Sequence, residues 1–239
     1  MVPTINGDLP FVARCDSERI SYRVRVNDRT TWRGNTGGCR FLGVDRVYTM
    51  YTGDPHRGEV AQHIRFAFQN PRDTDPKVTK EGAPITKNFP GNYDGCLNSP
   101  DAAHCRKVPL TKRANRDRVP APDGALYNSK NSNNLDKYCK DLPGRDDPNK
   151  QCDEYLFAST WQAIGVDGKM ENNVWVPSLN ASLRMVSTDH NQAAGRDLGA
   201  FYAPYRVLPN ATLEGGLQNR PGNAFFVRIK DGAPPTPSS

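Results

Sequence analysis

Six cysteines constrain the fold of this chain more than any other feature of its sequence. None forms a Cys-x-x-Cys pair, and none lies beside a histidine at zinc-finger spacing. Bridges between cysteines that are neighbours in sequence close the shortest loops. We therefore predict three disulfides, with buried reduced thiols as the alternative. The predicted pairs are Cys15–Cys39, Cys96–Cys105 and Cys139–Cys152.

Disulfides favour an oxidising compartment, so we expect a secreted protein. The chain starts Met1-Val-Pro-Thr, without the basic and apolar segments of a signal peptide. We interpret it as a mature form whose leader was replaced by an initiator methionine. Sequons at Asn180 and Asn210 agree with secretion. No apolar run approaches the roughly 20 residues needed to span a bilayer, so no membrane partner is expected.

The composition favours a loop-rich α+β or β-rich protein over a helical bundle, because the 239 residues include 20 glycines and 20 prolines. This length suits one large domain with a small additional module. The net charge of +6 favours a polyanionic partner through Coulomb attraction and counterion release. Charge alone does not decide this, since many basic secreted proteins bind no nucleic acid.

The N-terminal part of the chain has the pattern of β-strands. In the segment 18–26, apolar residues at every second position alternate with serine and arginine, which is typical of a half-buried strand. A second strand region is predicted over 40–52. Residues 1–45 are therefore predicted to form a small β-rich N-terminal extension.

Over residues 58–69 the spacing of apolar residues changes from that of a strand to that of a helix. Val60, Ile64 and Phe68 are spaced by four, and Asn70-Pro71 ends the pattern. We interpret His63, within this helix, as a partly buried or surface histidine. The segment 70–150 is predicted to consist of long loops pinned by disulfides, with basic residues that are either solvated or part of a DNA-facing rim.

The C-terminal third is more regular. We predict a strand over 183–187, a helix over 191–202 with Thr188 or Asp189 as its cap, and a strand over 224–229. Residues 231–239 are predicted to be a flexible tail. The main domain is then expected to span residues 46–230.

Two adjacent carboxylates, Asp153 and Glu154, stand between Cys152 and an apolar run. Burying them is costly unless each is paired or bound to a cation. In an extended strand they point to opposite sides, so that one is able to face a metal or water while the other takes a structural partner. A surface loop with two solvated acids is the alternative.

The run Thr188-Asp189-His190-Asn191 is a second candidate cluster. Its functional interpretation places the amide oxygen of Asn191 on a divalent cation, with His190 at a phosphate or in proton transfer. A plain helix cap is the alternative. Arg184, on the preceding strand, is either a phosphate ligand or an outward charge.

The run Cys152-Asp-Glu-Tyr-Leu-Phe-Ala-Ser-Thr160 resembles the CDEYPFAST-type motif of the NucA/NucB family of secreted bacterial deoxyribonucleases. Other segments resemble the family in the same order, and the resemblance covers about residues 47–230. These segments are 59–67, 108–115, 182–195 and 225–229.

The resemblance implies an α+β domain with a ββα-metal type nuclease core on a small mixed or antiparallel sheet. The family's aspartate base maps onto Asp153, and the helix asparagine that holds the metal maps onto Asn191. The implied cofactor is Mg²⁺ or Mn²⁺, and no small-molecule cofactor is expected. The expected protein is a secreted, monomeric, metal-dependent endonuclease that cuts DNA without sequence preference, with RNA as the alternative substrate.

Three positions depart from the family pattern: the first is a change in the backbone, and the other two bear on the metal. Leu156 stands where the family usually has proline, Gln162-Ala163 where it commonly has Glu-Gly, and His190 where aspartate is more usual. We expect Glu154 or Gln162 to help Asn191 hold the ion. The alternatives are a decayed nuclease that only binds nucleic acid, and a ribonuclease or toxin on the same scaffold.

Overall fold

The described residues of the chain form an α+β protein. The computed structural model describes residues 13–26, 29–41, 44–95, 108–112, 121–208 and 223–236. Its helices are α1 (Gly58–Gln69), α2 (Tyr127–Cys139) and α3 (Thr188–Tyr202), with a 3-10 turn at Pro71–Asp73. Its strands are β1 (Ala13–Val26), β2 (Arg29–Phe41), β3 (Val47–Tyr51), β4 (Thr79–Lys80), β5 (Ala83–Pro84), β6 (Leu110–Thr111), β7 (Lys150–Tyr155), β8 (Gly168–Glu171), β9 (Val174–Pro177), β10 (Ser182–Ser187) and β11 (Ala224–Lys230).

The strands form small sheets. In the three-stranded sheet, β11 lies between β3, to which it is parallel, and β6, to which it is antiparallel. The other described strands pair antiparallel in twos: β1 with β2, β4 with β5, β8 with β9, and β7 with β10. Helix α3 follows directly on β10, so its first turn lies at the end of the β7–β10 pair.

Helix α1 is the central element of the fold. Its apolar stripe, which includes Val60, Ile64 and Ala67, is buried, and the helix contacts α3, β3, β7, β10 and β11. Asp54 fixes the turn that leads into α1 by accepting hydrogen bonds from the backbone N–H groups of His56 and Arg57. Burial works to raise the pKa of Asp54, but the hydrogen bond from His56 and the hydrogen bonds and charge of Arg57 outweigh burial and lower that pKa.

The core consists of two clusters on opposite faces of the β7–β10 pair. Tyr155 and Val186 belong to the larger cluster, which contains the buried faces of α1 and α3. Leu183 belongs to the smaller cluster, with Cys139 and Ile164. Because side chains alternate along a strand, each strand of the pair contributes to both clusters.

Several elements follow the sequence patterns. The predicted helix over 58–69 is confirmed with those bounds, and the strands predicted over 183–187 and 224–229 are each one residue longer. Helix α3 begins at Thr188, three residues before the predicted start. The predicted cap was wrong, because Ser187 is the N-cap residue and makes no side-chain cap hydrogen bond.

Two elements differ from the sequence-based expectations. The single strand region predicted over 40–52 is the end of β2 and the separate strand β3. Helix α2 lies in the segment that was predicted to be loops. Its sequence is rich in asparagine and serine, which are weak helix formers. Tertiary packing stabilises it, since Leu135 and Tyr138 pack on the smaller core cluster.

Two of the three predicted disulfides are confirmed: Cys15–Cys39 and Cys139–Cys152. The predicted pair Cys96–Cys105 lies outside the described residues. The division into residues 1–45, 46–230 and 231–239 stays a prediction. Among the described helices, none is long and apolar enough to cross a membrane.

Candidate active site

A buried imidazole from α1 holds the carboxylate of Asp153 on β7. Nδ1 of His63 lies 2.6 Å from Oδ2 of Asp153, and Nε2 lies 2.8 Å from Oγ of Ser182. The neutral tautomer with its proton on Nδ1 fits both contacts, because it donates to the carboxylate and accepts from the serine hydroxyl. His63 therefore links Asp153 of β7 to Ser182 of β10, and this link fixes the position of the Asp153 carboxylate.

These three side chains are connected as in a Ser-His-Asp hydrolase triad. Here, however, the serine is the most buried of the three and the aspartate the least buried. Ser182 is 0% exposed, and the side chain of His63 is 1% exposed, whereas that of Asp153 is 8% exposed. The serine hydroxyl has no access to a substrate. Asp153 is thus the least buried of the three side chains.

Arg184 lies directly opposite Asp153 in the register of β10 and β7. Opposed residues of an antiparallel pair share a face, with Cβ atoms about 4.5–5.5 Å apart. Arg184 is exposed, and within the described part of the chain it forms no ion pair or hydrogen bond. A cationic group is therefore available beside the carboxylate.

Asn191, in the first turn of α3, lies against the residues that precede Asp153. Its Nδ2 is 3.4 Å from the carbonyl oxygen of Cys152 and 3.5 Å from Oε1 of Gln151. Both contacts use the amide nitrogen. Among the described residues, none donates a hydrogen bond to Oδ1 of Asn191, so that oxygen is available as a ligand.

Helices α1 and α3 cap each other at this site. Oε2 of Glu59 accepts a hydrogen bond of 2.8 Å from the backbone N–H of Ser187, at the start of α3. In return, Nδ1 of His190 accepts one of 3.2 Å from the backbone N–H of Glu59, in the first turn of α1. This exchange holds Asn191 in a fixed position relative to the helix that carries His63.

The structure brings neither Glu154 nor Gln162 to this face. Glu154 is buried on the other side of β7, where its carboxylate accepts hydrogen bonds from the backbone N–H of Ile164 at 2.7 Å and from Nδ2 of Asn131 at 2.9 Å. Oε1 of Gln162 accepts from the N–H of Thr111 at 3.0 Å, and its Nε2 donates to that residue's hydroxyl at 2.9 Å. Both side chains hold neighbouring segments together.

The side-chain oxygen atoms of Asp153 and Asn191 are of the type that hard divalent cations prefer. Asp153 and Asn191 each have one oxygen that no described residue binds. Mg²⁺ prefers oxygen ligands and usually keeps several of its waters. Within the described residues no group of three His, Cys, Asp or Glu side chains is placed to hold a metal, so a bound ion would be largely hydrated.

Lys87 supports the start of β10 from outside the site. Its Nζ donates a hydrogen bond of 2.6 Å to the carbonyl oxygen of Ala181, the residue before Ser182. Burial lowers the pKa of Lys87 to about 8, against the opposing effect of the carboxylate of Asp75. At the same end of the β7–β10 pair, where Tyr155 lies opposite Ser182, the peptide bond between Tyr155 and Leu156 is cis.

A carboxylate, an amide oxygen and a guanidinium group on one face form the type of side-chain set that phosphodiester hydrolases use. The comparison with protein families finds a match for one segment of the chain. The model of the family "Deoxyribonuclease NucA/NucB" matches residues 95–212, just under half of the chain. This segment belongs to that family, which confirms the resemblance and implies a nuclease acting on DNA. No curated protein and no solved structure matches the chain.

Asp153, Arg184, His190 and Asn191 all lie within the matched segment, whereas His63 lies outside it. The interpretation of His63 from the sequence missed its contact with Asp153. A signal was present, because His63 occupies the i+3 position of the stripe Val60, Ile64 and Ala67. A polar residue inside a buried helical stripe requires a partner. The sequence did not show which residue that partner is.

Neutralising the carboxylate of Glu154 is predicted to lower the stability of the folded protein. In Glu154→Gln, one of the two buried donors loses its acceptor, so we expect the free energy of unfolding to fall by about 1–3 kcal/mol. Urea denaturation measures this value. Asp141→Asn is the control, since Asp141 is 83% exposed and its change should cost little. Equal stabilities of the two variants would contradict a structural role for Glu154.

Proposed function

We propose that the protein is a secreted, metal-dependent endonuclease that hydrolyses DNA phosphodiester bonds without sequence preference. The observation that supports this proposal best is the buried hydrogen bond between His63 and Asp153. It presents one carboxylate oxygen beside Arg184 and Asn191. Family membership supports the choice of DNA as the substrate.

Asp153 is proposed to act as the general base. It accepts a proton from a water molecule, whose oxygen forms a bond to phosphorus while the bond from phosphorus to the 3′-oxygen breaks. The 3′-oxygen leaves with the bonding electron pair and takes a proton from solvent water. The N–H of His63 donates a hydrogen bond to Asp153 and fixes the direction of its carboxylate. Ser182 keeps the imidazole in the required tautomer.

Arg184 is proposed to bind the phosphate under attack. Its planar group of donors matches two phosphate oxygens, and it has no competing carboxylate among the described residues. His190 has Nε2 left after its Nδ1 accepts from Glu59, so it is able to donate to a phosphate oxygen. Contacts of this kind do not distinguish bases, which supports cleavage without sequence preference.

Asn191 is proposed to hold Mg²⁺ or Mn²⁺ through Oδ1. When bound, such an ion neutralises charge on the phosphate and lowers the pKa of coordinated water. The order of elements supports a ββα-metal type core: β7 pairs antiparallel with β10, and α3 follows β10, with β8 and β9 inserted between the strands. The disulfides support secretion into an oxidising compartment.

Asp153→Asn is expected to reduce the rate of supercoiled plasmid nicking by at least about 10²-fold while the protein stays folded, because the amide cannot accept the proton. The assay uses Mg²⁺, Mn²⁺ and a chelator in parallel, and it includes RNA as a second substrate. Asp141→Asn is the matched control with an exposed carboxylate. Full activity of Asp153→Asn would exclude this residue as the base.

His63→Leu is expected to lower kcat with little change in KM, because it removes the donor that orients Asp153. A hydrogen bond to a charged group contributes about 1.5–3 kcal/mol, which corresponds to roughly 10- to 150-fold in rate. His63→Asn, with an amide nitrogen near the position of Nδ1, should recover part of the loss. Equal rates for the two variants, at equal melting temperatures, would contradict the positioning role.

Asn191→Ala is expected to raise the Mg²⁺ concentration at half-maximal nicking by about tenfold or more, since it removes a ligand oxygen. Plasmid nicking across a Mg²⁺ titration measures this shift. Asn134→Ala is the control, because the Asn134 side chain donates only to the backbone of its own helix, at Lys130. An unchanged Mg²⁺ requirement in Asn191→Ala would remove this residue from the metal site.

A further inference from the structure

A short segment, residues 87–90, packs against the end of the β7–β10 pair at which β10 begins. Lys87 and Phe89 are buried, whereas Asn88 between them is exposed. Phe89 belongs to the larger core cluster and contacts Tyr155 of β7, with ring centroids 6.0 Å apart. A lysine at the second buried position of this segment is unusual, because lysine is almost never buried unless it is paired.

The ammonium group of Lys87 joins the two elements that carry His63 and Ser182. Its Nζ donates a hydrogen bond of 2.6 Å to the carbonyl oxygen of Ala181, directly before β10, and a longer one of 3.4 Å to that of Thr74. Thr74 is the C-cap residue of the 3-10 turn that follows α1, the helix of His63. One buried side chain thus links the turn after α1 to the start of β10.

The backbone on both sides of Ser182 is held by this part of the chain. Lys87 binds the carbonyl oxygen of Ala181, and the N–H of Leu183 donates a hydrogen bond of 2.8 Å to the carbonyl oxygen of Asp75. Ser182 itself is completely buried. The direction of its hydroxyl group therefore depends on where these two contacts place the backbone.

Burying the charge of Lys87 is costly, so packing alone does not explain this residue. Both of its hydrogen bonds go to neutral carbonyl oxygens, and within the described part of the chain it forms no ion pair. Burial is the largest cause of its lowered pKa; the charge of Lys77 acts in the same direction, and the carboxylate of Asp75 opposes it. An apolar side chain would avoid this cost. The ammonium group offers instead two hydrogen bonds strengthened by its charge.

We propose that Lys87 is a positioning residue for the candidate active site, which acts through Ser182 and His63 on the carboxylate of Asp153. By holding the carbonyl oxygen of Ala181, it keeps the Ser182 hydroxyl 2.8 Å from Nε2 of His63. That contact keeps the imidazole in the tautomer that donates to Asp153. This inference rests on the proposed function for the reaction, but the state of the imidazole is measurable without it.

The test variant is Lys87→Met, which keeps nearly the length of the side chain and removes its donors. The segment should stay attached, because Phe89 still packs and the Asn180 amide still exchanges hydrogen bonds of 3.1 and 2.6 Å with the backbone of Asn88. We expect kcat for plasmid nicking to fall by about tenfold or more with little change in KM, since a displaced catalytic group slows the reaction. Lys80→Met is the matched control, because Lys80 is exposed.

A double-mutant cycle determines whether Lys87 acts through His63. If it does, Lys87→Met should change kcat by less than about twofold in the His63→Leu background, because the imidazole that it positions is already absent. Equal losses in the two backgrounds would overturn the proposal. So would an unchanged kcat of Lys87→Met, or an equal loss in Lys80→Met. If Lys87→Met does not fold, Lys87→Gln, which keeps an amide donor, takes its place in the same cycle.

The tautomer of His63 provides a readout that does not require cleavage. Nitrogen NMR of the full chain with isotope-labelled histidine reports it, and His63→Leu identifies the signal. We expect the proton on Nδ1 in the unmodified chain and in Lys80→Met, and a mixture of tautomers in Lys87→Met. An unchanged His63 signal in Lys87→Met overturns the proposal.

Plasmid nicking by the unmodified chain separates this proposal from the proposed function. A His63 signal that depends on Lys87, in a chain that nicks no plasmid in Mg²⁺ or Mn²⁺, supports the positioning of the imidazole and rejects the endonuclease. Nicking together with a His63 signal that ignores Lys87 supports the endonuclease and rejects the positioning role.

Discussion

The candidate site depends on the hydrogen bond between His63 and Asp153. Both side chains are almost completely buried, and an unpaired carboxylate in such surroundings would be strongly destabilising. Pairing with the imidazole offsets that cost. It also fixes the direction of the carboxylate, because Ser182 holds the second ring nitrogen. A single side chain of α1 thus connects the helix to both strands of the β7–β10 pair.

Because side chains alternate between the two faces of β7, the adjacent residues Asp153 and Glu154 have different partners. Asp153 faces α1, where a donor and an exposed cation surround it. Glu154 faces the other way and ties the backbone at Ile164 to Asn131 of α2. The same alternation allows a short strand to contribute to two core clusters while each of its carboxylates has a partner of its own.

Local patterns in the sequence predicted the local parts of this structure. The period of α1, the last strands and two disulfides between neighbouring cysteines were all predictable, and the opposite directions of Asp153 and Glu154 followed from an extended strand. Contacts between distant segments were not predictable. Periodicity places His63 on a buried face but does not identify Asp153, 90 positions away, as its partner. Helix α2 was missed because packing, and not its own sequence, stabilises it.

The exchange of caps between α1 and α3 has a consequence for the dynamics of the site. The first turn of a helix is ordinarily where fraying begins, but here each first turn holds a group supplied by the other helix. Fraying of one end therefore removes a hydrogen bond from the other, and the two ends open cooperatively. Local opening at the start of α1 is therefore expected to loosen the first turn of α3, which carries the amide of Asn191.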